Sequence, residues 1–72
     1  METSKLVQMA NSIGDFFETM PERKEALTGI ASHIEKFWEP RMRAQLAPLL
    51  AQPVQVSGLK PIVHEALQSH RC

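Results

Sequence analysis

Pro40 is where this chain has to turn. It stands two residues after the only tryptophan, Trp38, in the run IEKFWEPRMRAQL from Ile34 to Leu46. A proline ring fixes φ and removes the backbone N–H, so it stops the helix before it and suits the first position of the helix after it. Trp38 is thereby placed at a helix corner. Arg41 and Arg43 follow at once, inside the first turn of the new helix. The positive end of the helix dipole disfavours each cation there by roughly 0.3 to 1 kcal/mol. A helix start built for stability alone would carry Asp or Glu, so the two guanidiniums point to an acidic partner.

Amphipathic helices are predicted on both sides of this corner. Thr3 or Ser4 caps a first helix in which Leu6, Met9, Ala10, Ile13, Phe16, Phe17 and Met20 recur at spacings of three and four. Asn11, Asp15 and Glu18 take the other side, and Gly14 at the edge of the stripe permits a close helix crossing. Pro21 ends this helix and suits the opening of a second, from Pro21 to Trp38, where Glu22 favours the dipole. Its stripe is Leu27, Ile30, Ala31, Ile34 and Trp38, flanked by Ala26 and Phe37. The short connection from Thr19 to Glu22 folds the two into an antiparallel hairpin. Gly29 falls on the polar side, either as a tolerated surface glycine or where another backbone comes close.

A third helix starts at Pro40 with Met42, Leu46, Leu49 and Leu50 on one face, and Pro48 should kink it or end it near Ala47. AQPVQVSG, from Ala51 to Gly58, reads as a surface loop. A last short helix covers Pro61 to Ser69, with Leu59, Ile62, Val63, Ala66 and Leu67 inward, and the tail of His70, Arg71 and Cys72 frays. The fold class is all-α. It is a small bundle of three to four short helices, an antiparallel hairpin plus a kinked third and a short fourth, in a single domain over 1–72.

Size then limits what such a bundle can do alone. Seventy-two residues lie near the length at which one core barely offsets chain entropy. A single cysteine, Cys72, excludes an internal disulfide, which leaves association as the remedy. Eight basic and eight acidic residues balance to zero net charge, so there is no electrostatic footprint for nucleic acid or an anionic membrane. The start METSKLVQMAN is neither a signal peptide nor a membrane span, and a cytoplasmic chain is expected.

Catalytic and metal-binding patterns do not emerge. His33, His64, His70 and Cys72 are the conventional soft or borderline ligands, but no pair has the i, i+4 or Cys-x-x-Cys spacing of a closed zinc site. His33 flanks the core stripe, where a half-buried histidine hydrogen-bonded to a neighbour is the usual outcome. Cys72 has no fixed base nearby, the serines at 4, 12, 32, 57 and 69 read as caps or surface residues, and there is no glycine-rich phosphate loop. Glu22 with Glu25 lies on a solvated face without a pocket. No catalytic, cofactor-binding or metal site is assigned.

What exceeds the background is apolar surface. Phe16, Phe17, Phe37 and Trp38, with Met9, Met20 and Met42, widen the stripes beyond what a thin hairpin covers. Aromatics and Met beside Arg are typical of protein interfaces. Phe37, Trp38, Pro40, Arg41, Met42 and Arg43 are therefore the candidate partner-binding residues. For Phe37, Trp38, Arg41 and Arg43 a place in the core or the fold is the alternative.

At these residues the chain resembles a known family. LVQMANSIGDFF in the first helix, GIASHIEKFWEPRMRAQL across the corner and GLKPIVHEAL near the end are similar to the delta subunit of bacterial NAD-dependent, molybdenum-containing formate dehydrogenases. The likeness covers nearly the whole chain, and the corner is its most specific part. The resemblance implies a cytoplasmic complex that oxidises formate to carbon dioxide. It further implies a catalytic alpha subunit with molybdopterin guanine dinucleotide and iron-sulfur clusters, a beta subunit with FMN that reduces NAD, and a small iron-sulfur gamma subunit. No cofactor is bound by this chain on that reading. Its part would be that of an accessory subunit docking on the alpha subunit, as a permanent structural member or as a maturation factor for cofactor insertion. The alternative from another class is a free-standing helical nucleic-acid-binding protein that uses Arg41 and Arg43. That alternative needs Lys60 and Arg71 to complete a basic stripe on the same face.

Overall fold

The helical periodicity in this sequence is realised as a bundle. A computed structural model describes residues 3–69, and among the described residues it holds five helices and no strand. They are α1 (Thr3–Phe17), α2 (Arg23–Phe37), α3 (Pro40–Leu50), α4 (Val54–Ser57) and α5 (Pro61–Ser69). Thr3 and Ser4 lie inside α1, so the cap position expected for them falls before the described residues. The expected fraying of His70, Arg71 and Cys72 likewise lies outside them.

Each boundary has a local cause. α1 ends at Phe17 rather than running to Met20, because the next three residues tighten into a turn. Thr19 and Met20 donate their N–H groups back only three residues, to Phe16 and Phe17 (3.3 and 3.0 Å), and the Thr19 hydroxyl also donates to the Phe16 carbonyl at 2.8 Å. α2 then starts at Arg23 and not at Pro21, since Glu22 is the extended cap residue (φ −97°, ψ 116°). Its carbonyl accepts the Ala26 N–H at 3.1 Å. At the corner Trp38 caps α2 in extended geometry (φ −94°, ψ 137°), Glu39 is the extended N-cap of α3, and Pro40 occupies its first position.

Downstream, of the two outcomes expected at Pro48 one is excluded, and the loop expected over Ala51 to Gly58 needs correction. Pro48 does not end α3, which continues to Leu50. The proline sits on an exposed face two residues from the helix end, so it forfeits only the bond its own N–H would have made to Ala44. A tertiary contact then secures that end, where the Gln68 side-chain amide donates to the Leu50 carbonyl. The segment assigned to a loop contains α4. Pro53 opens this turn and its carbonyl accepts from Val56 and Ser57 (2.9 and 3.1 Å), while Gly58 at φ 82° closes it in the left-handed region that favours glycine. The Ser57 hydroxyl donates to Val54 and accepts the Leu59 N–H.

The core gathers one face of every long helix. Leu6 and Ala10 of α1 meet Ala26, Ile30 and Ile34 of α2, Trp38 at the corner, Leu46 and Leu50 of α3, and Leu59, Ile62, Val63 and Ala66 around α5. α2 packs more extensively against α5 than against its chain neighbour α1. The α1–α5 approach depends on Gly14: a Cβ built there would stand 2.5 Å from Cγ2 of Val63, a fully buried side chain. Gly14→Ala should therefore destabilise the fold by about 1 to 3 kcal/mol through overpacking, against the roughly 1 kcal/mol that alanine gains in helix propensity. A thermal melt decides the sign. A rise in Tm for Gly14→Ala would mean that the two helices do not meet as closely as described.

A polar strap holds the start of α5 on α1. Asn11 donates its side-chain amide to the Gly58 carbonyl (3.0 Å) and accepts the Lys60 N–H (2.8 Å). Lys60 Nζ pairs with Asp15 (2.8 Å) and Glu18 (3.1 Å). Hydrogen bonds that the ammonium donates to Asp15 and to Glu18 raise its pKa, so it stays charged far above neutral pH. On another face Arg23 pairs with Glu65 at 2.6 Å, joining α2 to α5.

Candidate functional site

The corner separates its two aromatics. Phe37 closes α2 and is 72% exposed, whereas Trp38 is 6% exposed and belongs to the core. The register explains the split: Trp38 continues the row of Ile30 and Ile34 at i+4 spacing, and Phe37 falls off its edge. The indole is committed to this chain's own packing and offers little surface to a partner. Met42 is half-buried against the core, and Pro40, Arg41 and Arg43 are exposed. An open depression at the corner is lined by Glu39, Pro40 and Arg41.

Three basic residues in this fold have opposite fates. Lys60 is held by Asp15 and Glu18, so its charge is spent inside the fold. Arg41 and Arg43 make no ion pair or side-chain hydrogen bond among the described residues. They begin α3, where backbone N–H groups lack intrahelical partners and the dipole is positive. Both guanidiniums are exposed at that helix end. The basic stripe a nucleic-acid groove would require loses Lys60 to its intramolecular pairs, and Arg71 lies outside the described residues.

A second surface was only half legible. Phe16 is 70% exposed, and its ring meets Phe17 edge-on with centroids 5.1 Å apart. Phe17 leans on His33 (6.4 Å), and His33 lies against Phe37 (4.8 Å, planes 44° apart). The four rings make one row across α1 and α2 that ends at the corner. The row rests on Gly29, since a Cβ there would come within 2.5 Å of the Phe17 ring. Gly29 is thus neither a bare surface glycine nor a point of backbone approach; it makes room for an aromatic side chain. His33 is half-buried as expected, but among the described residues its company is aromatic and not a hydrogen-bond partner. The signal available in the sequence was the i, i+4, i+8 spacing of Gly29, His33 and Phe37.

Among the described residues no three His, Cys, Asp or Glu side chains cluster to hold a metal ion. His64 is occupied, with Nε2–H donating to the Gln52 carbonyl at 3.0 Å. Cys72 and His70 lie outside the described residues. Among those residues no helix is long and apolar enough to cross a membrane.

Comparison with known proteins gives one result. A family model described as NADH-dependent formate dehydrogenase delta subunit FdsD matches residues 5–67. No curated protein and no solved structure matches the chain.

Proposed function

The chain belongs to the FdsD family of NADH-dependent formate dehydrogenase delta subunits, and from that membership we propose that it is a non-catalytic accessory subunit that docks on the catalytic alpha subunit. The family match carries this reading. Two features of the fold support it: arginines at the start of α3 with no ion pair among the described residues, and aromatic side chains left outside the core. The function is binding. Its benefit to the enzyme is assembly, stability or insertion of the molybdenum cofactor, either as a permanent member or as a maturation factor.

In this proposal the chemistry belongs to the other subunits of a cytoplasmic complex. Molybdopterin guanine dinucleotide and iron-sulfur clusters reside in alpha, FMN in beta and a further iron-sulfur centre in gamma, and this chain supplies ligands to none of them. Docking runs through the corner, with Arg41 and Arg43 toward carboxylates of alpha, Phe37 and Pro40 in contact, and Trp38 and Met42 holding the corner's shape from inside.

Co-expression tests the proposal. The tagged chain is expected to retain alpha through size-exclusion chromatography, both with alpha alone and with beta and gamma present. A permanent subunit should stay on cofactor-loaded enzyme, and a maturation factor should favour the cofactor-free form. Separate elution of the chain from both forms at micromolar concentration would overturn it.

A further inference from the structure

Phe17 packs against the core, but the two outer phenylalanines of the row, Phe16 and Phe37, are unexplained by the fold, which closes its core without them. Phe16 and Phe37 stand 70% and 72% exposed at its ends; Met9, seven residues before Phe16 on α1, is 39% exposed, and Met20, in the connection after α1, is 38% exposed. Taking about 200 Å² for each fully exposed side chain, these four leave on the order of 400 Å² of apolar surface. A patch of that size is as large as a typical monomer carries and is often functional.

We propose that this row is a second part of the docking surface, adjoining the corner, and that its occupant is an apolar cleft of the alpha subunit with an acidic rim on the Phe37 side. The inference rests on the accessory-subunit reading above. Area argues against a second copy of this chain as the occupant. Two such patches face to face would bury on the order of 800 Å², the range of crystal contacts, where stable complexes bury about 1,200 to 2,000 Å². A larger, concave partner removes that limit, because it covers the convex row and its surroundings together.

Charge gives the cleft its sign. Asp15 and Glu18, the carboxylates nearest Phe16 and Phe17 in sequence, are bound to Lys60 on the α5 side. In sequence, Phe37 is flanked by Lys36, Arg41 and Arg43 against Glu35 and Glu39, and Glu35 falls on the far side of α2 from His33. Glu25 sits at the opposite end of the row. A partner must therefore accept rings at its centre and cations at one edge.

The test uses the full chain and purified alpha subunit. Phe16→Ser with Phe37→Ser introduces no charge and should leave Tm within a few degrees, since both rings are mostly in solvent. Binding to alpha should weaken by roughly 100-fold or more, the loss expected for two aromatic anchors. Phe16→Ser alone, at the end of the row remote from the corner, gives a second reading and should weaken binding by at least about tenfold. Undiminished binding by both variants beside a binding wild type overturns the row as a docking face but spares the accessory-subunit reading. A wild type that fails to bind alpha overturns both. A wild-type dimer in sedimentation that the double variant dissociates would make the occupant a second copy and overturn the choice of alpha.

Discussion

Replacing Trp38 by Ala is expected to leave the chain without a stable fold. The indole lies in the closed core with Ile30, Ile34 and Leu46. Truncating a core tryptophan costs roughly 3 to 5 kcal/mol through lost burial and the cavity left behind. A domain of this size has in total about 4 to 11 kcal/mol to lose, at 0.05 to 0.15 kcal/mol per residue. Circular dichroism should show little helix at 37 °C, or a midpoint lowered by more than ten degrees. Phe37→Ala, one residue earlier, should hold its midpoint within a few degrees because that ring is in solvent. Equal losses from the two would mean that Phe37 is packed as well and that the corner does not divide its aromatics.

Reversing both arginines, with Arg41→Glu and Arg43→Glu, should do the opposite. The fold should survive, and helicity should stay level or rise by a few tenths of a kcal/mol, since carboxylates suit the positive end of α3. Neither guanidinium has an intrachain ion pair to lose among the described residues. Association with alpha should weaken by several kcal/mol if like charges are brought face to face. Co-purification should then fail, most clearly in low salt, where an exposed charge pair is least screened. Full co-purification in high and low salt alike would remove the corner from the docking surface. The serine variants of Phe16 and Phe37 should instead lose binding with little dependence on salt, so the two halves of the surface are separable.

Much of this fold was legible because proline and hydrophobic spacing agree. Pro40 and Pro61 open helices where they were expected to, and Ile30, Ile34, Leu46, Ile62 and Ala66 face inward as their spacing requires. The errors lie where a side chain or a distant residue decides. The Thr19 hydroxyl closes α1 early, and a proline and a glycine frame a single helical turn too short to show a period. The i, i+4, i+8 spacing of Gly29, His33 and Phe37 aligns the three on α2, but the ring that fills the space over Gly29 comes from Phe17, twelve residues earlier. For the candidate surface, the sequence placed Phe37, Arg41 and Arg43 at the corner but could not separate Phe37 from Trp38. Adjacent residues on a helix differ by about 100°, and the choice between core and solvent was made by which of them continued the buried row.

The preference of α2 for α5 sets the order in which this chain can become a protein. Translation proceeds at about 5 to 20 residues per second and delivers α1 and α2 first. Their inward faces, Leu6, Ala10, Ala26 and Ile30, must then wait for Ile62, Val63 and Ala66, which lie at the far end of the described sequence. Asn11 likewise finds Gly58 and Lys60 only after 47 and 49 further residues have been added. The inward faces of α1 and α2 therefore have no full cover until α5 has been made, and closing the core joins the two halves of the sequence.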